Sequence, residues 1–160
     1  MTRTAELGRD YRFRVAADDG AGNAAQSTTD PLRARRREST SSLIQTSAGW
    51  KTVAVSEASG GSLLRSKLPG AAASITFTGR SVAWVAGVGP GAGRARMMVD
   101  EVDAGVVDLG APAGGSRRLV FVRSWETDAR HRIEIVVLDG SVRRPVTIDA
   151  FVVLRGVAGS

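Results

Sequence analysis

The chain has 160 residues, enough for one domain with a real core, and its 42% hydrophobic and 24% charged residues are those of an ordinary soluble globular protein. It has no cysteine and one histidine, His131, which excludes disulfides, thiolate metal sites, cysteine nucleophiles and paired-histidine catalysis. The formal charge is +6, from 22 Lys+Arg against 16 Asp+Glu, and nearly all the cations are Arg, so the surface either attracts polyanions or keeps the chain soluble.

The opening MTRTAELGRDYRFRV has no apolar h-region, so no signal peptide is expected in it, and no later run approaches the ~18 apolar residues of a membrane span. Tyr11, Phe13 and Val15 alternate with Arg12 and Arg14, which predicts a half-buried strand. Asp18 to Asn23 reads as a turn, and a weaker extended segment follows it. A lone hairpin is marginal in water, so residues 1–30 must pack on something. Residues 31–41 read as a linker with little apolar content. Its basic cluster, Arg33, Arg35, Arg36 and Arg37, is either solvated or a polyanion contact, and no aromatic is interleaved for stacking on bases.

From Ser42 short alternating segments recur: SLIQ, WKTVAV from Trp50 to Val55, SLLRS, and ASITFTG from Ala73 to Gly79. The last sets Ile75 and Phe77 against Thr76 and Thr78. Gly79-Arg80 reads as a two-residue hairpin link into SVAWVA. RRLVFVRSW, HRIEIVVL and PVTIDAFVVL complete the series. The expected core is Val53, Ile75, Phe77, Val82, Trp84, Val99, Leu119, Phe121, Ile133, Ile135, Val137, Ile148, Val152 and Leu154. Many short strands joined by Gly-rich turns predict an all-β sandwich or jelly roll.

One stretch offers a different architecture. Gly87, Gly89 and Ala92 match G-x-G-x-x-G/A after an apolar run, with Asp108 about 20 residues on, as in a dinucleotide fold. That fold needs a helix over residues 91–103 whose first amides bind pyrophosphate. Pro90 removes one amide from the loop, and Ala95, Met97 and Val99 alternate with Arg94, Arg96 and Asp100 as a strand would. No other segment has a sustained helical period. The sandwich is therefore the prediction, with GVGPGAG a mobile loop and VDEVDAG a connection between strands.

The residues YRFRVAADDGAGNAA resemble the closing strands of a fibronectin type III domain, with Tyr11 in the place of its tyrosine-corner residue. Residues 43–154, with ASITFTGRSVAWVAG, RLVFVRSW, HRIEIVVL and IDAFVVL, resemble a galactose-binding-like jelly roll. The resemblance implies a fibronectin-type remnant at 1–30, a linker at 31–41, a sandwich at 42–155 and a tail at 156–160. It implies a non-catalytic, carbohydrate-binding-like module of a bacterial secreted or cell-surface protein, with polysaccharide or cell-surface glycan and the neighbouring domains of a longer parent as partners. With only the tail of the fibronectin-like part in view, the chain reads as a fragment or a mis-started frame. The sequence departs from the family at Val99–Gly105, where a simple VDG turn gives way to what reads as a longer loop, and at DARHRIEI, where His131 alone keeps its place.

The candidate ligand-binding residues are Trp125, Trp84, Trp50, Arg94, Arg96 and Asp100. Each Trp is either a stacking platform for sugar or part of the core. Arg94, Arg96, Arg117, Arg118, Arg123, Arg143 and Arg144 form an anion-binding face if strand order gathers them, and surface solvation if it does not. The resemblance leaves room for a structural calcium, but Asp100, Glu101, Asp103 and Asp108 match no calcium loop, so a solvated turn is the expectation and no cofactor or metal is assigned. Asp149 is expected to be hydrogen-bonded near a sheet edge. There is no G-x-S-x-G to set a serine against His131, and no catalytic residues are assigned. The alternatives to a carbohydrate module are a spacer without a ligand pocket and polyanion binding by the Arg cluster, nucleic acid being the less favoured polyanion.

Overall fold

The computed structural model describes residues 6–22, 24–138 and 144–157. Asn23, Arg143 and the last three residues of the expected tail lie outside them. The strands are β1 (Asp10–Tyr11), β2 (Arg14–Asp18), β3 (Ala24–Thr28), β4 (Leu32–Glu38), β5 (Ile44–Thr46), β6 (Lys51–Ala54), β7 (Ser62–Ser66), β8 (Ala72–Val88), β9 (Arg94–Val99), β10 (Val102–Asp108), β11 (Gly115–Val137), β12 (Val146–Ile148) and β13 (Ala150–Gly156). A single 3₁₀ turn, Ser59–Gly61, precedes β7.

The large sheet runs β1-β4-β13-β8-β11-β9-β10, with β5 also on β8, and its strand pairs are antiparallel. A smaller sheet, β12-β7-β6, packs over it. Between the layers lie Ile75, Trp84, Met97, Ile133, Ile135 and Phe151 from the large sheet and Leu64, Val146 and Ile148 from the small one. Burying such side chains contributes about 1.5–3 kcal/mol each, which holds the sandwich together without disulfides. The Trp84 indole N–H spans the layers, donating to the Thr147 carbonyl at 3.2 Å.

Residues 94–99 are strand β9, with Ala95, Met97 and Val99 buried, so the dinucleotide reading fails. GVGPGAG is a defined turn rather than a mobile loop. The Ala92 N–H donates to the Gly89 carbonyl at 3.1 Å, and Pro90-Gly91 fill the central positions of a type II turn, Gly91 having φ +79°. The expected longer loop after Val99 is also absent. Val99 pairs with Val102, and Asp100 and Glu101 at φ 50° and 68° make a two-residue hairpin turn.

The hairpin expected at Gly79-Arg80 does not form. The chain runs straight through as one strand, β8, because Gly79 serves close approach rather than turning: a Cβ there would lie 2.7 Å from the Leu154 carbonyl oxygen. Its partner β11 is likewise continuous, and takes up the mismatch as a bulge between Ser124 and Ala129. Nor are residues 32–38 a linker. They are strand β4, hydrogen-bonded to β13 over seven residue pairs from Leu32↔Gly156 to Glu38↔Ala150.

Several inward-facing assignments shift for the same kind of reason. PVTIDAFVVL is two strands: β12 belongs to the small sheet and β13 to the large one, and the chain changes layer at Asp149. The alternation restarts there, so Phe151 and Val153 are buried instead of Val152 and Leu154. A register shift between Leu119 and Phe121 turns Leu119 outward, and Val53 is only half-buried on β6. Residues 14–28 form the expected hairpin, β2–β3, yet Phe13 and Val15 are 56% and 68% exposed. The half-buried strand expected there is not covered by the described residues.

Candidate functional site

The groove of interest begins with a gap in the large sheet. Along one edge of β8, β13 pairs with residues Ser81–Val85 and β5 with Ala73–Ile75. Residues 76–80 have no strand partner on that edge in these registers, and the gap opens into a groove of about 790 Å³. Ser74, Thr76 and Thr78 of β8 line it, with Ser42, Leu43 and Gln45 on one side. On the other, β4 presents Arg33, Arg35 and Arg37. Alternate residues of a strand share a face and recur about every 6.6 Å, so the three arginines form a row. Arg130 of β11 and Arg155 of β13 complete it, beside Val153 and Val157. Asp10 of β1 binds Arg33 through two hydrogen bonds, of 2.5 and 3.0 Å. That bond holds the Asp10 carboxyl below its ordinary value and raises Arg33.

The fourth residue of the cluster, Arg36, points the other way. It pairs with Glu38 at 2.6 Å, and Glu38 accepts from the Ser59 hydroxyl at 3.1 Å. Asp149 closes this second group. It is hydrogen-bonded, as expected, accepting the Ser59 N–H at 2.7 Å, and it is 1% exposed. Burial pushes its carboxyl up, the Ser59 N–H opposes this, and the charge of Glu38 adds to the rise. A carboxyl raised in the folded state binds its proton more tightly there than in the unfolded chain. Its contribution to stability therefore falls as pH rises from the ordinary Asp range through the folded value. Asp149→Asn keeps an oxygen for the Ser59 N–H and removes the charge. It is expected to melt higher than wild type at pH 7, with the difference shrinking toward pH 4. Asp149→Ala leaves that N–H without an acceptor and is expected to lose about 1–3 kcal/mol. An Asp149→Asn protein that melts lower at pH 7 would mean the ionised form is the favoured one.

The predicted tryptophans are not at the groove. Trp84 is fully buried and its N–H is used, so it belongs to the core rather than to a ligand surface. Trp50 is half-buried against the core. Trp125 is half-buried and stacks on His131, with ring centroids 3.6 Å apart and an interplanar angle of 11°. Asp100 joins that pair: one carboxylate oxygen lies 2.7 Å from His131 Nδ1, and the other accepts the Arg132 N–H at 2.8 Å. Burial pushes the Asp100 carboxyl up, but the Arg132 N–H, the His131 ring and the charge of Arg123 outweigh it and hold the group down. Among the described residues, His131 Nε2 is buried without a hydrogen-bond partner.

The other predicted residues scatter. Arg96 pairs with Asp103 at 2.8 Å on the exposed β9–β10 hairpin, and Arg94 is exposed beside it. Arg117 donates to the Glu57 carbonyl on a different part of β11 from the stretch that pairs β9. Asp103 and Asp108 each accept a backbone N–H two residues on, as turn formers do. Sequence reasoning missed Arg130 and Arg155 as groove residues. The outward Thr76 and Thr78 were visible in the alternation, but the pairing of β4 with β13 that brings the arginines beside them was not.

No protein-family model matches the sequence, and neither does any curated protein. Solved structures do resemble it in fold. A family two carbohydrate esterase from Cellvibrio japonicus matches 79% of this chain and 34% of its own, with 17% identity and a TM-score of 0.56. A two-domain esterase (CEX) active on acetylated mannans, co-crystallized with mannopentaose, matches 79% of this chain and 38% of its own, with 11% identity and a TM-score of 0.57. The catalytic domain of a GH87 alpha-1,3-glucanase in complex with nigerose matches 79% and 28%, with 14% identity and a TM-score of 0.51. This chain thus spans about a third of the length of the structures it matches. The class so defined is an all-β sandwich of a kind found in carbohydrate-active chains. No helix among the described residues is long and apolar enough to cross a membrane.

Proposed function

We propose that the chain is a non-catalytic, carbohydrate-binding β-sandwich of the galactose-binding-like kind, acting outside the cell or on its surface as one part of a longer protein. The observation that carries this is the groove beside β8, whose volume of about 790 Å³ lies in the range of small-ligand sites and whose lining includes the hydroxyl residues Ser42, Ser74, Thr76 and Thr78. The carbohydrate-active neighbours, which the chain matches over only a third of their length, support a module that accompanies catalysis performed elsewhere. The outward Phe13, just before β2, and Val15 of β2 suit a strand pair that belongs with further sheet, as a fibronectin-type remnant would.

Affinity electrophoresis through gels containing neutral or acidic polysaccharides tests the reading. Retardation by at least one of them is expected. Unchanged mobility in all would favour the second reading, a spacer without a ligand. That reading draws on the tryptophans: Trp84 is buried, and Trp50 and Trp125 are half-buried, so none is a fully exposed stacking platform.

A further inference from the structure

We propose that the groove takes an acidic polysaccharide, its anionic groups held by the arginine row. This rests on the carbohydrate reading above and adds the charge of the ligand. Arg33, Arg35, Arg37, Arg130 and Arg155 come from three strands to one groove, and none of its lining among the described residues is acidic. Asp10 and Asp128, bonded to the groove's Arg33 and Gly156, are both engaged. Asp10 holds Arg33, while Asp128 pairs with Arg80 at 3.2 Å and accepts the Gly156 N–H. The side chains of Arg35, Arg37, Arg130 and Arg155 have no hydrogen-bond or ion-pair partner among the described residues.

Solubility asks only that cations be spread over a surface. Converging them costs repulsion, which an anion in the groove would offset. The guanidinium fork matches carboxylate and sulfate in two parallel hydrogen bonds. Between the forks, Ser42, Gln45, Thr76 and Thr78 supply hydroxyl and amide groups that answer the hydroxyls of a sugar. Single-stranded nucleic acid is the rival polyanion, and it wants exposed aromatic faces for its bases. The ring at this groove, Phe77, is 9% exposed and packs toward Trp125 and His131.

The test is the dissociation constant of the full chain for polygalacturonate, dextran sulfate, unsubstituted galactomannan and oligo-dT, at low and high salt. Polygalacturonate or dextran sulfate should bind, more weakly at high salt, and the tighter of the two tells carboxylate from sulfate. The double variant Arg35→Gln/Arg37→Gln should bind about tenfold to a hundredfold more weakly with an unchanged melting temperature. Arg94→Gln/Arg118→Gln loses the same two charges outside the groove and should stay within about twofold of wild type. Arg35→Lys/Arg37→Lys, which keeps the charge but not the fork, should fall between. Equal losses from the two Gln pairs would reduce the effect to net charge and overturn the proposal, as would oligo-dT binding at least as tightly as the acidic glycans. Galactomannan binding without acidic binding would leave the carbohydrate reading standing and end this one. No binding to any glycan would end both.

Discussion

Trp84→Ala is expected to cost about 3–5 kcal/mol, measured by urea unfolding followed in far-UV circular dichroism. The ring has no exposed surface and sits among Ile75, Met97, Ile133, Ile148 and Phe151, where both layers contribute walls. Removing it leaves a void that paired strands cannot close, because their hydrogen-bond ladders fix the spacing. It also frees the Thr147 carbonyl, which the indole N–H reaches across the sandwich. Domains of this size are stable by only about 5–15 kcal/mol, so the loss would take a large share. Trp84→Phe restores most of the volume and isolates the hydrogen bond, with an expected cost of about 1–3 kcal/mol. The result bears on function as well as folding. A loss below about 1 kcal/mol would mean that the ring is not packed as described, and would return Trp84 to the list of residues free to stack on sugar.

What the sequence makes legible here is local. Period-two alternation marks Ile75 and Phe77, then Val82 and Trp84, then Ile133, Ile135 and Val137, and each set is buried. Pro90 and the alternation of Ala95, Met97 and Val99 are enough to reject a phosphate-binding helix. What escapes is non-local. Nothing within LRARRRE says that its partner is β13, more than 110 residues on, so a strand with four arginines reads as a solvated linker. Once that pairing is made, Arg33, Arg35 and Arg37 face the groove and Arg36 does not. The same blindness covers Asp149. In one dimension it sits within a single alternating run, while in the fold it marks the change of layer and is buried against Ser59, 90 positions away. Trp125 and Asp100 fall between. Both were candidate ligand residues, and the structure brings them together around His131 rather than around a cavity.

Gly79→Asn separates the two accounts of this glycine most sharply. As the first residue of a two-residue hairpin, Gly79 would need positive φ, and asparagine is among the residues that tolerate it. In the observed strand the constraint is different. A Cβ would lie 2.7 Å from the Leu154 carbonyl oxygen and 2.9 Å from Val153 Cγ1. A side-chain methyl can rotate aside, but a carbonyl inside β13 can move only if its strand moves. Gly79→Asn is therefore expected to cost about 1–3 kcal/mol or more, seen as a melting temperature lowered by roughly 2–12 °C. Gly91→Asn is the matched control. Gly91 has φ +79° and nothing within 4 Å of its Cβ direction, so asparagine, which tolerates that region better than most residues, meets only the left-handed backbone strain and should cost no more than about 1 kcal/mol. The two variants would respond alike if both glycines sat in turns. A second consequence ties the strand to the groove. Val153 lines it and Arg155 belongs to its arginine row, so pushing β13 away from β8 would spread the row. Gly79→Asn should then weaken glycan binding under conditions where the protein remains folded, and Gly91→Asn should not.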